Sequence, residues 1–181
     1  HTVEHHALEQ ELAEFMGVER TLLFSTGYMA NLGVVSALCD RHSEIYEDKL
    51  NHASLLDAAL LSRAKRLRYP HLDTHHLAQR LESSTAENKF IISDGVFSMD
   101  GDMAPLSDLL KLAKSSEAWL LADDAHDLGV LGENGRGSFS AAGLALGDPV
   151  IYMGTFGKAL GTFGAFVAGS DDLIEMLIQR A

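Results

Sequence analysis

The sequence predicts an α/β fold: a mainly parallel sheet covered by helices on both faces, a three-layer α/β/α arrangement. Three observations carry this. Short apolar or β-branched runs alternate with amphipathic helical patterns along the chain. Polar residues and glycines gather directly after several of those runs, as at the ligand-binding edge of a parallel sheet. No internal repeat, low-complexity tract or linker breaks the alternation, so a single layered structure is the economical reading.

Residues 5–16 read as a helix with Leu8, Leu12 and Phe15 on one face. A strand at 21–24 precedes a helix at 28–38, and a strand at 44–47 precedes a helix at 52–62. A strand at 66–69 leads to a helix at 73–82, where Asp73 or Thr74 can serve as N-cap. The run 90–92 passes through a glycine-containing loop to a helix near 105–114, with Pro105 suited to a first helical turn. Runs at 119–122, 150–153 and 165–168 complete the strands, and 171–181 reads as a last helix.

With 181 residues, 46% of them apolar, the chain can bury one sizeable core. A net charge of −12 weighs against nucleic acid or an anionic membrane as the main partner. No apolar run approaches the roughly 20 residues that span a bilayer, and no signal-peptide pattern opens the chain. The single cysteine, Cys39, excludes an internal disulfide framework and fits a reducing cytoplasm. Helical patterns begin almost at once and run to the last residue, so 1–181 is expected to be one large domain of a longer protein, truncated at both ends.

The chemistry gathers after the strand runs. The run at 118–122 delivers Asp123-Asp124-Ala125-His126, and the run at 150–153 delivers Thr155-Phe156-Gly157-Lys158. A carboxylate and an imidazole at one strand end, with a lysine in a glycine-bracketed loop after another, make the set that pyridoxal 5'-phosphate (PLP) chemistry requires. The amine holds the aldehyde as a Schiff base, and the carboxylate keeps the pyridine nitrogen protonated so that the ring accepts electrons. Taken alone, Lys158 reads as a solvated surface lysine with a pKa of about 10.4. Beside Thr155 and the Asp/His pair the reading reverses. Asp123 ends a run that should be buried, where an unpaired carboxylate is costly. A pyridinium N–H at about 3 Å attracts it by roughly 5 kcal/mol at an effective dielectric near 20, before desolvation.

His126 can hydrogen-bond the phenolic oxygen of the ring, and His52, opening a helix, can lie over the cofactor and act on a proton of the substrate. Ser25-Thr26-Gly27-Tyr28 precedes a helix, whose N-terminal N–H groups can seat a phosphate. Thr155 can add a hydroxyl there. Ser98, in the polar segment 94–102, is a candidate donor to the cofactor oxygen, and the aspartates of that segment can equally be turn residues. His71 and His75 have metal-compatible spacing but no third ligand nearby, so no metal site is expected. The pairs His5-His6 and His75-His76 read as solvated helix faces. The glycine-rich 132–137 matches neither a dinucleotide nor a Walker loop, lacks a following helix pattern, and reads as an excursion at the rim of the site.

These segments, in this order, resemble the α-oxoamine synthases, a family of fold-type I PLP enzymes. The resemblance rests on 24–28, 50–54, 94–102, 123–126, 132–137 and 155–161. It implies Lys158 as the Schiff-base lysine and Asp123 as partner of the pyridine nitrogen. His126 and Ser98 would bond the phenolic oxygen, His52 would stack on the ring and meet the substrate, and Gly27, Tyr28 and Thr155 would hold the phosphate. Residues 102–106 and 161–170 narrow the resemblance to the branch that joins L-alanine to a pimeloyl thioester, carried by coenzyme A or acyl carrier protein, with loss of CO2. Glycine C-acetyltransferase is the alternative, and a non-catalytic partner subunit is the alternative of another class. The resemblance further implies a homodimer with the site at the subunit boundary. Asp127 departs from the pattern: the family usually carries glycine or another small residue after the histidine.

Overall fold

The computed structural model describes residues 1–181. Seven strands form one sheet: β1 (Arg20–Phe24), β2 (Glu44–Asp48), β3 (Lys65–Tyr69), β4 (Lys89–Asp94), β5 (Trp119–Asp123), β6 (Val150–Thr155) and β7 (Ala165–Gly169). Their spatial order is β1-β7-β6-β5-β4-β2-β3. All neighbours pair parallel except β7, which runs antiparallel to both β1 and β6. The connection from β6 into β7 is a short loop, too short for the crossover helix that a parallel return needs, so β7 is reversed.

The helices are α1 (Val3–Met16), α2 (Gly27–Leu38), α3 (Ala53–Leu61), α4 (Thr74–Glu82), α5 (Leu106–Ser115), α6 (Ser138–Ala141) and α7 (Asp171–Arg180). Successive strand side chains point to opposite faces, and two separate cores result. On one face Tyr46, Ile91, Leu120, Tyr152 and Phe166 pack with Leu12 of α1, Leu77 and Leu81 of α4, and Leu109 and Ala113 of α5. On the other, Ile45, Ile92, Leu121, Ile151 and Val167 pack with Val34 of α2, Leu55 of α3 and Ile174 of α7. This is the expected three-layer α/β/α architecture. The central strands are buried on both faces, which explains their continuous apolar runs.

The ends of the elements follow local chemistry. The Thr26 hydroxyl accepts from the Met29 N–H at 3.1 Å and caps α2; Asp73 accepts from the His76 N–H and caps α4. Gly17, at φ 68°, closes α1 in the left-handed conformation. Pro105 sits one place before the first helical residue of α5, at its N-cap. One expectation is corrected. A short helix, α6, follows the segment 132–137 directly, and the backbone of that segment folds back on 129–131 before leading to Ser138. The four-residue α6 is too short to show an apolar period.

Candidate active site

The carboxyl ends of β2, β4, β5 and β6 lie on one edge of the sheet, and there the polar residues converge. One pocket is lined by Gly27, Tyr28, His52, Ser54, Asp94, Asp123, Ala125, His126, Met153, Thr155 and Lys158. A larger cavity of about 740 Å³ lies elsewhere, between α1, the end of β1 and residues 156–164, walled mainly by Leu and Phe, with His1 and His5 at its edge. It holds neither carboxylate nor lysine. The chemistry belongs to the smaller pocket.

Asp123 is the last residue of β5 and is buried. Its carboxylate accepts from Asn31 Nδ2 at 2.7 Å and from the Ala125 N–H at 3.0 Å. Burial pushes its pKa up, opposed first by the Asn31 hydrogen bond and then by that from Ala125, with Lys158 adding its charge. Lys158 follows β6 in a loop closed on itself, Gly161 N–H to Lys158 carbonyl and Thr162 N–H to Phe156 carbonyl. Its ammonium lies 2.7 Å from Nε2 of His126. Partial burial pushes the lysine pKa down, while Asp123 and Asp94 pull it back up. Burial, then Lys158, lowers His126. A neutral His126 accepting from the lysine satisfies both groups.

His52 is the N-cap of α3. Its Nδ1 accepts from the Ser54 N–H at 3.2 Å, which leaves the ring proton on Nε2. Ser54 Oγ, 2.7 Å from the same Nδ1, accepts from Asn31 Nδ2 at 2.9 Å. Asn31 therefore joins Asp123 to the His52 ring through one serine. The His52 main-chain N–H donates to Asp94 at 2.7 Å.

Gly27 and Tyr28 form the first turn of α2, where N–H groups have no intrahelical acceptor. The Tyr28 hydroxyl donates to Asp57 at 2.7 Å. Thr155 donates its hydroxyl to the Gly164 carbonyl at 3.0 Å and accepts from the Gly157 N–H, so it pins the Lys158 loop as well as lining the pocket.

Seven of the eight sequence-predicted site residues thus share this pocket. Ser98 does not. Phe97 is buried, the Phe97 N–H bonds the Asp102 carbonyl, and Val96 bridges to Met103, so the loop closes on itself and turns Ser98 outward into solvent. Conversely, the sequence does not mark Asn31, Ser54 or Met153. Asn31 carried a usable signal, as the one amide in the otherwise apolar 29–35 of α2. Asp94, weighed against a turn residue, is buried in the pocket wall, paired in register with Asp123. His71 lies before α4 rather than on it, and bonds Asp48 at 2.9 Å and Asp102 at 3.2 Å.

Asp124 and Asp127 form a second, fully buried set behind the pocket. Asp124 accepts from both the N–H and the hydroxyl of Ser138. The Asp127 N–H donates to the Asp124 carbonyl at 3.1 Å, and burial together with the neighbouring Asp124 carboxylate pushes the Asp127 carboxyl up to about 9. It is therefore neutral at pH 7 and adds no charge behind the pocket. Gly95 faces both carboxyls so closely that a methyl group on it would overlap them.

A strand-edge site with a lysine, an aspartate and a helix N-terminus belongs to a class of cofactor-dependent α/β enzymes, and the family model for aminotransferase class I and II matches residues 1–181. The chain belongs to that family. Within it, the chain is 60% identical over its whole length to 8-amino-7-oxononanoate synthase of Methylococcus capsulatus, covering 47% of that protein, and 60% identical to that of Saccharophagus degradans, covering 46%. Among solved structures, a serine palmitoyltransferase variant from S. paucimobilis with a bound PLP–myriocin adduct superposes with a TM-score of 0.93 at 36% identity, over all of this chain and 46% of that one. The 8-amino-7-oxononanoate synthase of Francisella tularensis superposes with a TM-score of 0.84 at 37% identity, over 99% and 51%. The chain spans about half the length of the relatives it matches.

Proposed function

We propose that this chain supplies the cofactor-holding part of a PLP-dependent acyltransferase that condenses L-alanine with a pimeloyl thioester, on coenzyme A or acyl carrier protein, to give 8-amino-7-oxononanoate for biotin synthesis. The observation that carries the reading is Lys158 and Asp123 on one pocket, between a free helix N-terminus and an imidazole whose Nδ1 is already engaged.

The residues fit the cofactor. Asp123 is a buried carboxylate that already has one N–H on each oxygen and whose charge still calls for a cationic partner, as a pyridinium supplies. The N–H groups of Gly27 and Tyr28 suit a phosphate. Lys158, with its pKa lowered, has more of the free amine needed to hold an aldehyde. When bound, PLP acts as an electron sink for charge left on the amino-acid α-carbon.

This chain's own groups do the rest. Lys158 would take the α-proton of the amino acid as base, and His52 would present its Nε2–H to the substrate carboxylate or the developing oxyanion. His126 holds the lysine amine when it is not engaged. Asn31 and Ser54 keep the His52 ring in one tautomer. The protein carrying this chain is read as a cytoplasmic homodimer whose large domain includes 1–181, and no helix is long and apolar enough to cross a membrane.

The test uses the full-length protein that carries this chain, loaded with PLP, with alanine, glycine and serine each paired with pimeloyl, acetyl and palmitoyl thioesters. Alanine with the pimeloyl thioester should give a kcat/KM at least tenfold above any other pair. Lys158→Ala should lose both the visible band of the lysine-bound cofactor and turnover. Preference for glycine with acetyl-CoA would move the assignment to glycine C-acetyltransferase, and an intact protein without the band would end it.

A further inference from the structure

Asp94 is the pocket carboxyl that the proposed reaction leaves without a task. It closes β4, is 3% exposed, and stands beside Asp123, its Cα partner in the parallel ladder. The Gly95 N–H bonds the Asp123 carbonyl at 2.8 Å, so the two strand ends are locked together and the two acids cannot drift apart. One Asp94 oxygen accepts from the His52 main-chain N–H at 2.7 Å.

These contacts close a ring. Asp94 holds the main chain of His52. The ring of His52 reaches Ser54, then Asn31, then Asp123. Asp123 returns to Asp94 across the ladder. The imidazole is thereby fixed at both ends to adjacent strand termini, one through its backbone and one through its Nδ1.

Resting on the function proposed above, we propose that Asp94 is a positioning residue: it anchors His52 over the cofactor seat and, as the second acid beside Asp123, sets the charge that Lys158 and the ring nitrogen feel.

The groups that face Asp94 are Asp123 from β5, Lys158 from the loop after β6, Asp48 at the end of β2, and His52 before α3, with Asp127 farther behind β5. Asp48 is occupied, accepting from the Leu50 and Leu72 N–H groups and from His71. Burial, then Asp123, pushes Asp94 up to about 7, against the His52 hydrogen bond and Lys158. Two acids side by side resist double ionisation, so the pair changes charge near neutral pH. A negative Asp94 favours the protonated forms of the lysine–cofactor linkage and of the ring nitrogen; a neutral one releases them.

Two variants separate anchor from charge, both in the full-length PLP-loaded protein. Asp94→Asn keeps an oxygen that can accept from the His52 N–H and removes the charge. Asp94→Ala removes both. The readouts are cofactor content, the pH midpoint of the visible band, and the pH profile of kcat/KM. With Asp94→Asn the band midpoint should fall by about one pH unit, because a negative neighbour that raised it is gone, and the profile should lose its limb near pH 7. Asp94→Ala should show the same shift and lose a further tenfold or more in kcat that Asp94→Asn retains. Melting temperature identifies unfolded material, and the Asn variant carries the charge test if the Ala variant does not fold. A wild-type band with its midpoint and profile unchanged in Asp94→Asn overturns the proposal alone. A wild-type protein that binds PLP without a band overturns both the proposal and the function it rests on.

Discussion

At the scale of single residues, the protonation of Asp127 has a measurable consequence for stability. In the unfolded chain Asp127 titrates near an ordinary aspartate, about 3.9; in the fold, burial and Asp124 raise it to about 9. The folded state therefore binds one more proton than the unfolded state between those values, and the stability held below pH 4 is lost as pH rises through about 9. Asp127→Asn, which can donate to Asp124 without a charge to lose, should gain on the wild type by up to about 1.4 kcal/mol per pH unit across that window. Chemical denaturation at pH 6 and pH 8 measures it, and parallel pH curves would place an ionised Asp127 in the fold. Asp123, His126 and Lys158 were legible because each follows an apolar run that has to be a strand. Ser54 was not, and Asn31 showed only as a lone amide in an apolar stretch, without its partners. Their roles depend on which helical face meets the site, and α2 is so uniformly apolar that its pattern marks no face.

At the scale of elements, the site depends on strands ending in step. β4 and β5 end on paired residues, Asp94 and Asp123, and the next residue after β4 is Gly95. Its Cα faces the carboxyls of Asp124 and Asp127 and the Ser138 hydroxyl, so any side chain must push them aside. Gly95→Ala is expected to cost about 1–3 kcal/mol of stability, in the range of an overpacked core, and to cut kcat because both acids lie on the strand ends it displaces. A thermal melt and a turnover assay on one preparation check both; unchanged values would mean that the strand ends yield without strain. Element positions were largely readable, because 28–38, 73–82 and 105–114 carry caps or a clear helical period. What was not readable was α6 and the direction of β7. The first is a single turn, too short for a period to mark it, and the second is fixed by a loop, not by any strand residue. Ser98 shows the same limit: its family motif is intact, yet Phe97 takes the inward place beside it.

At the scale of the whole molecule, the two cores and the site are separable. Leu109 is fully buried on the α5 side of the sheet, in the core that does not contain α2 or α3. The pocket draws on α2, the start of α3 and the ends of β4, β5 and β6; α2 and α3 pack on each other on the face opposite Leu109, with the sheet between. A ligand that binds only the folded state stabilises it by about 2.7 kcal/mol at a hundredfold excess over Kd. Adding PLP to cofactor-free full-length protein should therefore raise its melting temperature by a few degrees. Leu109→Ala should lower the starting stability by about 2–5 kcal/mol and leave the increment from PLP unchanged, because distant sites add. Lys158→Ala should do the reverse: an unchanged start, since the lysine loop is exposed, and a smaller increment, since the covalent hold is lost and only the non-covalent contacts of the pocket remain. Scanning calorimetry on the three proteins, with and without PLP, reads both quantities at once. If Leu109→Ala abolished the increment while remaining folded, the sheet would be transmitting core packing to the pocket, and the separation of scaffold from site would fail.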